Sequence, residues 1–110
     1  MEVKQERYLR MVLQRNETMN LTGISNFEEA AVRHTEDSLA LLPLLPQQAV
    51  RVVDVGSGGG FPGMALKIAR PSMDLTLLDA TAKKTDFLRA AAAALGLSGL
   101  QVLHGRAETL

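Results

Sequence analysis

Residues 50–63 read Val50-Arg51-Val52-Val53-Asp54-Val55-Gly56-Ser57-Gly58-Gly59-Gly60-Phe61-Pro62-Gly63. The first six form a short β-branched run, which fits a pleated and partly buried strand better than a helix. A glycine cluster follows, and residues 62–69 then return to helical composition before Arg70-Pro71 stops them. Strand, glycine loop and helix in that order lift a glycine pattern well above chance. Glycines let the backbone turn tightly and let a ligand approach with no Cβ in its way. Pro62 suits the first helical turn, where its missing N–H removes no hydrogen bond.

Downstream, residues 75–78 read as a second buried-type strand that ends on Asp79. The separation of Asp79 from Gly56 is close to the roughly 20 residues that part a nucleotide loop from its ribose-binding acid. Thr81 is placed to cap a helix over residues 82–95, whose alanine run has high helix propensity and whose end is marked by Gly96. A third strand spans residues 100–103. Alternating strands and helices predict an α/β fold, Rossmann-like, with a parallel sheet, right-handed crossovers and helices on both faces.

Upstream, apolar positions from Val3 to Leu13 are helical in spacing and predict a helix over residues 3–15, with a loop over residues 16–23. Ser25 followed by Glu28 has capping-box spacing and predicts a second helix running towards Leu42. Pro43 and Pro46 then break the chain. This divides it into an N-terminal helical region, residues 1–46, and the first half of a Rossmann-like domain, residues 47–110.

The 110-residue chain carries twelve basic and twelve acidic residues, so gross charge announces no nucleic-acid partner. There is no cysteine for a disulfide or thiolate metal site. No apolar run approaches the roughly 18 residues of a membrane span, and the first residues have no signal-peptide character. The expectation is a cytoplasmic protein with no membrane partner.

Gly58, Gly60 and Gly63 satisfy the dinucleotide pattern G-x-G-x-x-G, which keeps NAD open as the cofactor. Asp54 favours another: a carboxylate ahead of the loop sits poorly beside a pyrophosphate, whereas the cationic sulfonium and ammonium of S-adenosyl-L-methionine favour acidic surroundings. The competing reading of Asp54 is a strand-end acid that caps loop amides.

At this point the sequence resembles the bacterial 16S rRNA guanine-N7 methyltransferases, the glucose-inhibited division protein B family. Asn20-Leu21-Thr22 with Glu28-Glu29, and Arg33-His34 with Asp37-Ser38-Leu39, look like its N-terminal signature. Asp54 to Gly63, Leu77-Leu78-Asp79, Lys83-Lys84 with Phe87-Leu88, and Arg106-Ala107-Glu108 follow in the family's order. The resemblance implies a truncated S-adenosylmethionine-dependent methyltransferase fold with N-terminal helices packed on the sheet. It implies cofactor contacts from Asp54, Gly56, Ser57, Gly58, Phe61, Asp79, Ala80, Ala107 and Glu108, the last two flanking the adenine. Phe61 has a second reading as a staple between helix and core, and Glu108 as an ordinary exposed acid. Asn20, Arg33 and His34 are read as contacting RNA or as docking the helices.

The implied partner is 16S ribosomal RNA in the small ribosomal subunit. Guanine N7 carries a lone pair already, so methyl transfer needs alignment rather than a base, and no catalytic residue is assigned. Family members continue past the position of Leu110, so the chain is expected to be a fragment with an unpartnered sheet edge and no transfer activity of its own. Two rivals stand beside this reading: a non-catalytic nucleotide- or cofactor-binding half-domain, and an NAD-dependent oxidoreductase fragment.

Overall fold

The computed structural model describes residues 1–48, 50–56 and 59–106. Ser57, Gly58, Ala107 and Glu108, all expected at the cofactor, lie outside the described residues.

Helix α1 runs Val3–Met19, a full turn beyond the expected end. Its buried residues Gln5, Tyr8, Leu9 and Val12 follow the i, i+3, i+4, i+7 stripe of an amphipathic helix. Glu2 caps it by accepting the Gln5 amide at 3.1 Å. The stop comes at Asn20, in the left-handed region at φ 52°, a conformation asparagine tolerates better than most residues. Asn16, expected to open the loop, stays helical and closes it instead, its Oδ1 accepting the Thr22 amide at 2.8 Å.

The second helical segment is capped one residue later than expected. Asn26, not Ser25, accepts the Glu29 amide at 3.0 Å. Ser25 with Glu28 and Asn26 with Glu29 share the same spacing, and asparagine caps as well as serine, so the pattern fixed the cap only to within one residue. Helix α2 (Phe27–Ala30) passes into a π-helical stretch, Ala31–Glu36, and then α3 (Asp37–Leu39). The helix ends at Leu39 rather than Leu42, and Leu42–Leu44 forms a 3-10 turn around Pro43.

The sheet comprises β1 (Arg51–Val55), β2 (Asp74–Asp79) and β3 (Leu100–His104), all parallel, in the order β1-β2-β3. Helix α4 (Gly63–Ala69) joins β1 to β2, and α5 (Ala82–Ala94) joins β2 to β3. A Schellman turn ends α5, with Leu97 N–H donating to Ala92 and Gly96 N–H to Ala93, and Gly96 at φ +66° as the sequence suggested.

Both crossovers step the same way across the sheet, so right-handed connections put α4 and α5 on one face. A single core joins Tyr8, Val12 and Leu21 to Met64, Leu75, Leu77 and Leu88. The N-terminal helices therefore pack on the sheet through the same core as the α/β elements. The expectation of helices on both faces is not met among the described residues. On the opposite face Val53 and Val55 are 63% and 56% exposed. Among the described residues β1 and β3 are the edge strands.

Candidate cofactor site at the carboxyl edge of the sheet

The glycine loop springs from the carboxyl end of β1, where open α/β sheets bind ligands. The Gly56 amide donates to the Leu78 carbonyl at 2.7 Å, which sets the loop's first residue against the end of β2 and hence beside Asp79. Gly56 has φ +67°, and a Cβ built there meets nothing within 4 Å. The position thus needs glycine for its backbone and faces open space. We expect Gly56→Val to cost about 1–2 kcal/mol of stability through the left-handed backbone, with no clash inside the protein. Thermal unfolding should show a small shift while cofactor binding, followed by calorimetry, is lost; binding at wild-type strength would show that the open side of Gly56 is not a ligand path.

At its far end the loop is tightly enclosed. The Asp54 carboxylate accepts the Gly63 amide at 2.9 Å, spanning the loop from strand to helix. This places the strand-end acid as a cap for a loop amide, the second of its two sequence readings. Burial pushes the Asp54 pKa up, while the Gly63 amide works against that shift. A Cβ on Gly63 would lie 2.8 Å from Leu77 and 2.9 Å from the Asp54 carboxylate, so α4 approaches the sheet at glycine distance.

Tyr8 enters the site from α1. Fully buried, it donates its hydroxyl to the Gly59 carbonyl at 2.5 Å. Burial, followed by the nearby Asp54 charge, raises its pKa far above the ordinary tyrosine value, so it stays protonated and a donor. Its ring meets Phe61 edge-on, with centroids 5.5 Å apart. Phe61 in turn stacks on His34 at 4.8 Å and an interplanar angle of 9°. Thr22 Oγ1 lies 2.6 Å from His34 Nε2. His34 therefore docks the π-helical stretch onto the loop, and Phe61 is the staple between them. Asn20 caps α1, and Arg33 pairs across 3.5 Å with Glu29 on an exposed helix face.

Burial lowers the His34 pKa from its ordinary value near 6.5, so the folded protein favours the neutral ring. Stability from this residue is full above that ordinary value and is lost as pH falls through the lower, folded-state value. We expect His34→Gln to show a smaller drop in melting temperature between neutral and mildly acidic pH than wild type. Parallel pH profiles would overturn this assignment.

Asp79 ends β2 and is only 7% exposed. Its Oδ1 accepts the Thr81 amide at 2.9 Å, and its carbonyl accepts the Gly105 amide at 3.0 Å. Thr81 occupies the N-cap of α5 as expected, yet makes no side-chain capping bond. Ala80 is exposed, and its carbonyl accepts from His104 Nε2 at 3.0 Å. Asp54, Gly56, Phe61, Asp79 and Ala80 thus gather at one edge of the sheet, whereas Asn20 and Arg33 stand on the helices.

Tyr8 and His104 are the residues that sequence reasoning did not place here. Tyr8 fell inside the apolar stripe of α1; the available signal was that a buried tyrosine hydroxyl requires a partner. A surface groove of about 510 Å³ lies between α1 and α5, lined by Met11, Arg15, Glu17, Phe87 and Ala91, with none of the glycine-loop residues in its lining.

Three parallel strands joined by α4 and α5, with a glycine loop between β1 and α4, define the class: a Rossmann-like α/β fold. The particular kinship is closer. Over residues 1–110 the chain matches the family described as rRNA small subunit methyltransferase G (GidB), and it belongs to that family. It is 50% identical over 105 residues to the ribosomal RNA small subunit methyltransferase G of Sorangium cellulosum, covering 94% of this chain and 44% of that protein. The protein of that name from Myxococcus xanthus is 46% identical over 103 residues, 94% of this chain and 47% of its own length. That of Streptococcus pneumoniae is 40% identical over 105 residues, with 94% and 44% covered. The chain therefore spans less than half the length of these curated relatives. No helix among the described residues is long and apolar enough to cross a membrane.

Proposed function

We propose that the chain provides the S-adenosyl-L-methionine site of an enzyme that methylates guanine N7 in 16S ribosomal RNA of the small subunit. The observation that carries this reading is the open, left-handed Gly56 hydrogen-bonded to the end of β2 beside Asp79, in a chain of the GidB family.

Asp79 accepts hydrogen bonds from the ribose hydroxyls. Its bond to the Thr81 amide fixes the orientation of the carboxylate. Gly56, with Ser57 and Gly58, admits the cofactor close to the backbone, and Ala80, Ala107 and Glu108 border the adenine. Asp54 holds the loop closed through Gly63 and contributes negative charge near a cationic ligand. The bound cofactor supplies an electrophilic methyl group, and the attacking nitrogen already owns its lone pair. The protein's work is then alignment, with no proton to remove, and proximity of that kind is a large source of rate by itself.

Titration with S-adenosylmethionine, S-adenosylhomocysteine and NAD tests the reading. Saturable binding of the first two and none of NAD is the expected result. Preference for NAD would favour an oxidoreductase half, and no binding of any of the three would overturn the cofactor reading.

A further inference from the structure

The sheet holds the glycine loop at its two ends. Gly56 is tied to β2 through Leu78, and Asp54 reaches across to Gly63. Between these ties, the backbone at Gly59 and Gly60 leans on α1. The Tyr8 hydroxyl binds the Gly59 carbonyl, and a Cβ added to Gly60 would sit 2.2 Å from that same oxygen. One turn earlier, the buried Gln5 side-chain amide donates to the Ala65 carbonyl of α4 at 2.8 Å. α1 thus grips both the loop and the helix that the loop opens.

We infer that Tyr8 is a positioning residue of the cofactor site: its hydroxyl fixes the Gly59–Gly60 backbone and thereby sets cofactor affinity without touching the cofactor. This rests on the cofactor reading above and deepens it. The helical N-terminal region becomes part of the binding machinery. A ligand bound by backbone groups gains most when those groups are already held in the bound geometry. A hydroxyl anchored in the core of α1 can do this because its ring cannot swing away: it is wedged between Phe61 and Phe87, at 5.5 and 6.3 Å.

The test is Tyr8→Phe, which keeps the ring and removes the single bond, beside Leu95→Ala, a core truncation at the far end of α5. Three quantities are measured in each protein: melting temperature, the calorimetric Kd for S-adenosylhomocysteine, and amide exchange at Gly63 and Met64. Those two amides close the loop by bonding to Asp54 and to the Gly60 carbonyl. For Tyr8→Phe we expect Kd to rise by about three- to tenfold, the equivalent of one lost hydrogen bond, with faster exchange at both amides. For Leu95→Ala we expect a lower melting temperature with Kd unchanged. A Tyr8→Phe protein with wild-type Kd and wild-type local exchange overturns the inference. If the wild-type protein binds no S-adenosylhomocysteine, the cofactor reading falls, and exchange at Gly63 and Met64 still decides whether Tyr8 holds the loop.

Discussion

Gly60→Ala is expected to destabilise the protein by about 2–5 kcal/mol, the largest stability effect of a single methyl added to the described glycines of the loop. Two independent penalties act at this residue. Its φ of +82° is a conformation in which an L side chain is strained. The new methyl would also sit 2.2 Å from the Tyr8 hydroxyl, 2.9 Å from Met64 and 3.0 Å from Leu88, and all three side chains belong to the packed core. Gly56→Ala provides the comparison, because it carries the same kind of backbone strain in open space. The difference between the two variants isolates the packing part. Denaturant unfolding measures both. Combining Gly60→Ala with Tyr8→Phe should return part of the loss, since the closest clash is with the hydroxyl that Tyr8→Phe removes. Equal stabilities for Gly56→Ala and Gly60→Ala would mean that the loop does not press on α1 as described.

These glycines show why some of the site was legible in the sequence and some was not. The strand-loop-helix order around Gly56 is local: a β-branched run, a cluster of Cβ-free residues and a helix with proline at its start all sit within a few residues, and each pushes towards the same structure. Asp79 was legible for the same reason, as the polar end of an apolar strand. What periodicity could not reveal was which glycines face solvent and which face core, because that depends on α1, some fifty residues away in sequence. Tyr8 itself satisfies the apolar stripe of its helix, so its hydroxyl is invisible to a pattern that sorts residues only into apolar and polar.

The N-terminal helices show a second limit. Asn20 and Asn26 each decide a helix end, yet the sequence also offers Ser25 as a cap and Asn16 as a breaker. The outcome depends on tertiary bonds such as Asn16 Oδ1 to the Thr22 amide. The π-helical stretch, Ala31–Glu36, has no periodic signature at all; it places His34 against Phe61, and π-turns occur often at functional sites. The sheet's open face follows from topology. Two crossovers in the same direction fix which face is covered, whatever the strand composition suggests.

Asp79→Ala should weaken S-adenosylmethionine binding by at least about tenfold, because each hydrogen bond to a charged carboxylate contributes about 1.5–3 kcal/mol. The structure adds a complication and a way around it. Asp79 also accepts the amide of Thr81, the residue just ahead of α5, which makes no side-chain cap of its own. Removing the carboxylate therefore leaves that amide without its acceptor, at a cost of about 1 kcal/mol in stability. Asp79→Asn separates the two roles: its side-chain oxygen still accepts from Thr81, while the charge and one acceptor are gone. We expect Asp79→Asn to melt close to wild type and yet bind the cofactor nearly as weakly as Asp79→Ala. Asp79→Glu, one methylene longer in a site only 7% exposed, should recover part of the affinity at some loss of stability. On the proposed ribose contact, which leaves the transferred methyl untouched, the turnover rate at saturating cofactor should change much less than Kd. Calorimetry, melting curves and saturating-cofactor rates on the full-length enzyme measure all three variants. A wild-type Kd for Asp79→Asn with a collapsed rate would move Asp79 from ribose anchor to the chemistry, and wild-type stability and Kd for Asp79→Asn, with losses only in Asp79→Ala, would reduce it to the acceptor of the Thr81 amide.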